Sequence, residues 1–195
     1  MNWIVFAIVA WIALGMEVGL TGALQLGGGS GSLFGGEVVP SFVLVLLVHI
    51  ALWARLADVL RSAMVLGLAL DLIQVVPTGT SEDAIALGPM TLGCLAAGLL
   101  VHRVRSVLFR ESPITLAWMT LGASGIVFGV SLLILALRAQ YDDIQLGSFW
   151  SELGVRAASS LYSAVIALPM GLVLTRLTPW LGIRSGHVLV PGRRG

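Results

Sequence analysis

Six apolar stretches take up most of this chain, at about residues 2–24, 38–55, 61–77, 85–103, 113–138 and 156–177, with short polar connectors between them. A helix needs about 20 predominantly apolar residues to cross a bilayer, with a range of roughly 17 to 25, so each stretch reads as a spanning helix. The second and third are short and are separated only by "RLADVLR". Composition agrees with the pattern. Of the 195 residues 57% are hydrophobic and 11% charged, with a mean hydropathy of +0.99; soluble domains carry about 25% charged residues. The fold class expected is an all-α integral membrane protein, a compact six-transmembrane-helix bundle. Residues 1–183 form its single membrane domain and 184–195 a basic cytoplasmic tail. The first stretch has no basic region before it and no Ala-x-Ala cleavage signal, and its apolar run is too long for a signal peptide, so it is expected to be a retained span.

Arginine placement sets the orientation, because short positively charged loops stay in the cytoplasm. With both termini inside, cytoplasmic segments hold Arg55, Arg61, Arg103, Arg105, Arg110, Arg176, Arg184, Arg193 and Arg194, and only Arg138 and Arg156 fall outside. The outer loops collect Glu37, Glu82, Asp83, Asp142, Asp143 and Glu152. Trp3, Trp53, Trp118 and Trp180 fall near the inner boundary and Trp150 near the outer one, as an aromatic belt requires. The expected location is therefore a cytoplasmic (inner) membrane crossed several times.

Several chemistries are excluded or weakened by residue type. All 11 basic residues are arginine, so no lysine is present to form a Schiff base or to serve a Walker phosphate loop. The net charge of +1 offers no basic tract for nucleic acid. Cys94 stands alone in an apolar segment and reads as a packing residue. His49 and His102 have no second ligand at metal-binding spacing and read as structural or interfacial. Gly122–Gly125 ("GASG") matches the Gly-x-Ser-Gly of rhomboid proteases, but the only histidine after Ser124 is His187 in the tail, so chance accounts for the match. The chain is expected to be no enzyme and to need no cofactor or metal.

The polar residues inside the apolar stretches are the candidate functional positions. In span three, Met64, Gly67, Asp71, Gln74 and Thr78 recur at helical spacing and share one face. A carboxylate near the bilayer centre costs at least ~2.5 kcal/mol, so that face looks at protein or a watery cavity. Two readings stand side by side: a helix–helix or partner contact, and a hydrogen-bonded buttress of the protein's own bundle. In span one, Glu17 and Gln25 flank Thr21 and make a second polar stripe. A proton or cation relay would need a chain of ionisable groups, which the interiors of spans five and six do not supply.

Small residues at spacing four let membrane helices approach closely. They occur as Gly15 and Gly19 in span one and as Gly122, Gly125 and Gly129 in span five. Span six carries Ser159, Ser163, Ala167, Gly171 and Thr175. They serve either packing within the bundle or docking of a foreign helix. Pro169 should kink span six.

In layout the chain resembles the MreD family, the small membrane subunit of the bacterial rod-shape system. The resemblance is carried by the proline that opens span two in "VVPSFVLVLLVHIALWA" and by the glycine-to-aspartate helix running into a turn in "GLALDLIQVVPTG". The closing "LYSAVIALPMGLVLTRLTPWLG" before a basic tail also matches. It covers about residues 1–183 and implies a non-enzymatic bundle similar to the substrate-binding subunits of energy-coupling-factor transporters. It further implies binding to MreC, and work with RodA, a class B penicillin-binding protein and MreB, directly or indirectly. The residues it singles out are Pro40, Gly67, Asp71 and Gly79. Where the family has Arg-Pro-Asp this chain has Val39, Pro40 and Ser41, so contacts made by those two charges are absent.

Two functions follow from these readings. One is a scaffold subunit of the cell-wall elongation complex, with Glu17, Pro40, Gly67, Asp71, Gln74 and Gly79 as bundle-polar or partner-binding positions. The other is the substrate-binding subunit of an energy-coupling-factor-type vitamin transporter, with Glu17, Asp71 and Gln74 lining an outward cavity. Such a cavity is mostly apolar and aromatic, and only 7% of these residues are aromatic.

Overall fold

Val43 to Leu52, an apolar run broken only by His49, is completely enclosed in the computed structural model, and the other described helices are arranged around it. The structure describes residues 1–24, 38–73, 75–76, 84–85, 87–106, 113–138, 140–141 and 149–182. Among these are six helices: α1 (Trp3–Leu24), α2 (Phe42–Trp53), α3 (Leu56–Ile73), α4 (Pro89–Val104), α5 (Pro113–Arg138) and α6 (Phe149–Leu177). Two-residue strands β1 (Val75–Val76) and β2 (Ala84–Ile85) link α3 to α4. Successive helices α3, α4, α5 and α6 pack side by side, and α2 touches all five other helices. A helix apolar on every side has no face for water, which accounts for the central position of α2.

The windows Trp3–Leu20 in α1, Ile114–Arg138 in α5 and Leu153–Leu177 in α6 are long and apolar enough to cross a membrane. These three mark the chain as a membrane protein. The other helices are shorter or more polar: α2 has 12 residues and α4 has 16, and the 18 residues of α3 include Asp58, Arg61 and Asp71. At about 1.5 Å per residue α2 reaches only ~18 Å, against a hydrocarbon core of about 30 Å.

Helix boundaries depart from the sequence reading at five places. The second helix begins at Phe42, not at 38, because Ser41 adopts an extended backbone and its Oγ accepts from the Leu44 amide at 3.3 Å. Pro40 is thus buried just ahead of the cap and does not open the helix. The stretch "RLADVLR" is no linker: Asp58 and Val59 donate to the Arg55 carbonyl and start α3 at Leu56. The third helix stops at Ile73, short of 77. Its β-branched successors Val75 and Val76 pair antiparallel with Ile85 and Ala84, and Pro77 disfavours a helical Val76 before it. Helix α4 consequently starts at Pro89, not 85, with proline at its first position. Finally α6 begins at Phe149, before the expected 156, and runs unbroken through Pro169.

The glycine stripes divide into two kinds. A Cβ on Gly67 would lie 2.6 Å from Thr91 Cα, and one on Gly93 would lie 2.8 Å from the Val127 carbonyl, so α3, α4 and α5 meet backbone to backbone. Gly171 would meet Leu116 Cδ2 at 2.6 Å. In contrast, Gly15, Gly19, Gly122, Gly125 and Gly129 face outward with nothing within 4 Å. The glycines of those α1 and α5 stripes therefore do not pack the bundle, whereas Ser159, Ser163, Ala167 and Gly171 of α6 are buried in it. Thr175, at the end of that stripe, is exposed.

Candidate functional site

Each helix starts with backbone N–H groups that have no partner inside the helix, together with the positive end of its dipole. In a membrane bundle water cannot serve them, and here two carboxylates do. Asp71, only 2% exposed, reaches from α3 to the start of α4. Its Oδ1 accepts from the Met90 amide at 2.9 Å. Its Oδ2 accepts from the amides of Gly88 (2.9 Å) and Thr91 (3.0 Å) and from the Thr91 hydroxyl (2.6 Å). Gly88 has no side chain with which to cap α4, so the cap is imported from α3. Gly67 stands one turn before Asp71, where the two backbones touch, and that close approach brings the carboxylate within reach.

Glu17 does the same for α2. Its Oε1 accepts from the Ser41 hydroxyl at 2.8 Å and its Oε2 from the Val43 amide at 3.0 Å. Helix α6 serves the residues just before α2: Ser41 N donates to Ser163 Oγ at 2.9 Å and Val39 N to Ser159 Oγ at 3.3 Å. At the other end of α2 the Arg105 guanidinium donates to the carbonyls of Ala51 (3.4 Å) and Ala54. A carboxylate at the N-terminus and a guanidinium at the C-terminus both complement the dipole of α2.

His49 lies inside the same helix, buried, with Nε2 3.0 Å from Thr178 Oγ1. The Thr178 hydroxyl gives its own proton to the Leu174 carbonyl at 2.9 Å, so Nε2–H of His49 is the donor to Thr178. This links α2 to the turn that follows α6, and the histidine is structural, as its sequence context suggests. Cys94 is buried against the α3 crossing. Ser124 is buried and donates to the Thr120 carbonyl of its own helix at 2.8 Å.

The residues singled out from sequence thus scatter over two capping sites. Glu17 and Pro40 belong to the start of α2, and Gly67 and Asp71 to the start of α4. Met64, assigned to the Asp71 face, points outward instead. Gln74, Thr78, Gly79 and Gln25 lie outside the described residues. Sequence reasoning missed Thr91 and the helix-end roles of Ser41, Ser159, Ser163 and Arg105, the two α6 serines having been read only as small packing residues. For Ser41 a signal existed, a serine directly before an apolar run, which is the usual N-cap pattern. The others act on distant helices and leave no local mark. The arrangement can hold helices in register, and among the described residues no group of three metal-ligating side chains occurs.

Compared with known proteins, the chain matches no family model, no curated protein and no solved structure.

Proposed function

We propose that this chain is a non-catalytic scaffold subunit of the bacterial cell-wall elongation complex, an MreD-type protein that binds MreC and supports a RodA/penicillin-binding-protein synthase. In this reading it crosses the cytoplasmic membrane six times, both termini are cytoplasmic, and its bundle has the architecture of energy-coupling-factor substrate-binding subunits. The observation that carries the proposal is the use made of Glu17 and Asp71. Both acids are spent on fixing one helix to the next, and a rigid bundle is what a scaffold requires. The outward glycines of α1 and α5 add support, because close helix approach at small residues is how membrane partners pack. Ser41 fits the same picture. Where the resembled family carries an aspartate, this chain has an uncharged N-cap, and Glu17 brings its two acceptor oxygens to the same helix end.

Affinity purification from native membrane with mass spectrometry tests the reading. Enrichment of MreC with RodA or the transpeptidase supports it. Recovery of a transporter's coupling subunit and ATPases, with a tightly retained small vitamin, overturns it in favour of a substrate-binding subunit. Engagement of Glu17 and Asp71 as caps weighs against that second function, since it leaves neither acid aimed into an open cavity.

A further inference from the structure

Helices α1, α5 and α6, the three that are long and apolar enough to cross a membrane, lie next to one another. Helix α6 stands in the middle, with a cleft towards α1 on one flank and a depression towards α5 on the other. Helix α1 runs opposite to α6, because Asn2 meets Leu181 while Glu17 and Ser163 both reach Ser41. Helix α5 also runs opposite to α6. Leu116, near its start, lies against Gly171, and Phe128 carries the Arg156 guanidinium 5.8 Å from its ring centroid. Helices α1 and α5 are therefore parallel.

Two polar groups on these helices lack their usual partners, one a donor and one an acceptor. Trp11 is 79% exposed, and its indole N–H has no acceptor among the described residues. It stands eight residues beyond Trp3, about 12 Å further along α1 and away from the boundary where water would serve an indole. The acceptor is on α6. Pro169 has no N–H, so the Val165 carbonyl loses its helical donor. The Ser163 and Thr175 hydroxyls of the same helix donate to Ser159 and Leu172 instead. Val165 is exposed, lies between Arg156 and Arg176, and lines the α5–α6 depression. Leaving either group bare in hydrocarbon is costly. They cannot meet within one chain, since α1 turns Phe6, Ala10 and Ala13 to the core and Trp11 away from it.

We propose that a second copy of this chain brings them together, in a two-fold dimer where Trp11 of each protomer enters the α5–α6 depression of the other and donates to the Val165 carbonyl at its rim. Symmetry names the occupant. With α6 between α1 and α5, a two-fold axis along the membrane normal beside α6 lays each α1 over the other protomer's α5–α6 pair, and both bonds form at once. The depression, about 290 Å³, has room for one large side chain. Register agrees as well. Gly15 and Gly19 follow Trp3 by 12 and 16 residues, and Gly125 and Gly129 follow Pro113 by the same 12 and 16. Parallel α1 and α5 thus bring open glycines to the same level, where helices can approach closely. The inference needs only that the chain spans a membrane, whichever complex it serves.

Single-molecule photobleaching of the labelled full-length protein in liposomes, over a range of protein-to-lipid ratios, measures the dimer fraction. Wild type is expected to dimerise as its density rises. Trp11→Phe removes the N–H and keeps a ring, while Pro169→Ala returns a helical donor to Val165. Each should weaken dimerisation about tenfold, because every dimer loses two bonds worth about threefold apiece. The double variant should be no weaker than either single one. Trp180→Phe, an exposed indole at the inner end, should match wild type. Unchanged thermal unfolding in detergent shows that the variants fold. A wild type that stays monomeric at every density overturns the proposal and leaves these groups to lipid or to another protein's helix. A dimer that resists both substitutions overturns it too, as do additive losses in the double variant or an equal loss from Trp180→Phe. Capture of other proteins is measured separately, so failure here leaves the scaffold reading intact and the reverse also holds.

Discussion

The Asp71 carboxylate accepts the amide of Gly88 at 2.9 Å, and Gly88 holds a φ of 115° that side-chain-bearing residues rarely adopt. The two residues act together. Glycine gives the backbone the turn that aims its N–H at α3, and aspartate supplies the charge that the start of α4 lacks. Removing the carboxylate leaves three buried backbone donors without partners, each costing about 1–3 kcal/mol before relaxation. Asp71→Ala is therefore expected to destabilise the bundle by about 3 kcal/mol. Asp71→Asn, which keeps one acceptor oxygen, should cost less, and Met64→Ala on the outer face should be near neutral. Thermal unfolding in detergent, followed by accessibility of the buried Cys94 thiol, reads the order.

Close approach at Gly67 gives a second expectation. The Cβ of Gly67→Ala meets backbone at Thr91, which cannot swing aside, so the helices must separate and the cost is about 1–3 kcal/mol. Gly171→Ala meets only the end of the Leu116 side chain and should cost less, while Gly171→Leu should disrupt α6 packing. Melting temperatures of the three variants, compared in one detergent, check the ranking.

The outward glycines should respond in the opposite way. Gly15→Ala and Gly125→Ala add helix propensity without a clash, so stability should hold or rise by up to about 1 kcal/mol. If these faces receive a partner, Gly122→Leu and Gly19→Leu will reduce co-purification of that partner at unchanged stability. Equal recovery from both leucine variants would assign these faces to lipid.

Thr178→Val removes the acceptor for the buried Nε2–H of His49. An unsatisfied donor there should cost about 1–3 kcal/mol, and the double variant His49→Phe with Thr178→Val should recover part of the loss. Unfolding measurements on the single and double variants form the cycle that tests this.

The helical segments were legible in the sequence because an apolar run of about 20 residues has few alternatives in a membrane. Their ends were less so. The start of α2 depends on Ser41, but also on Glu17 from an earlier helix and Ser163 from a later one. The end of α3 depends on β-branched pairing across a turn. Asp71 could be placed against protein by its insertion cost alone, yet its four donors lie 17 to 20 residues further on and became visible only in three dimensions. Glycine spacing was equally clear in α1, α5 and α6, but spacing does not say which way a stripe faces. Two of the three stripes face out.

The short, enclosed α2 also bears on how the chain is assembled as it leaves the ribosome. Its N-terminal partners come from α1, made before it, and from α6, made last; its C-terminal partner Arg105 follows α4. At ~18 Å its helical part is shorter than the hydrocarbon core. Until Ser163 has been made, α2 lacks its complete set of neighbours, so its final seating in the bundle follows the synthesis of α6.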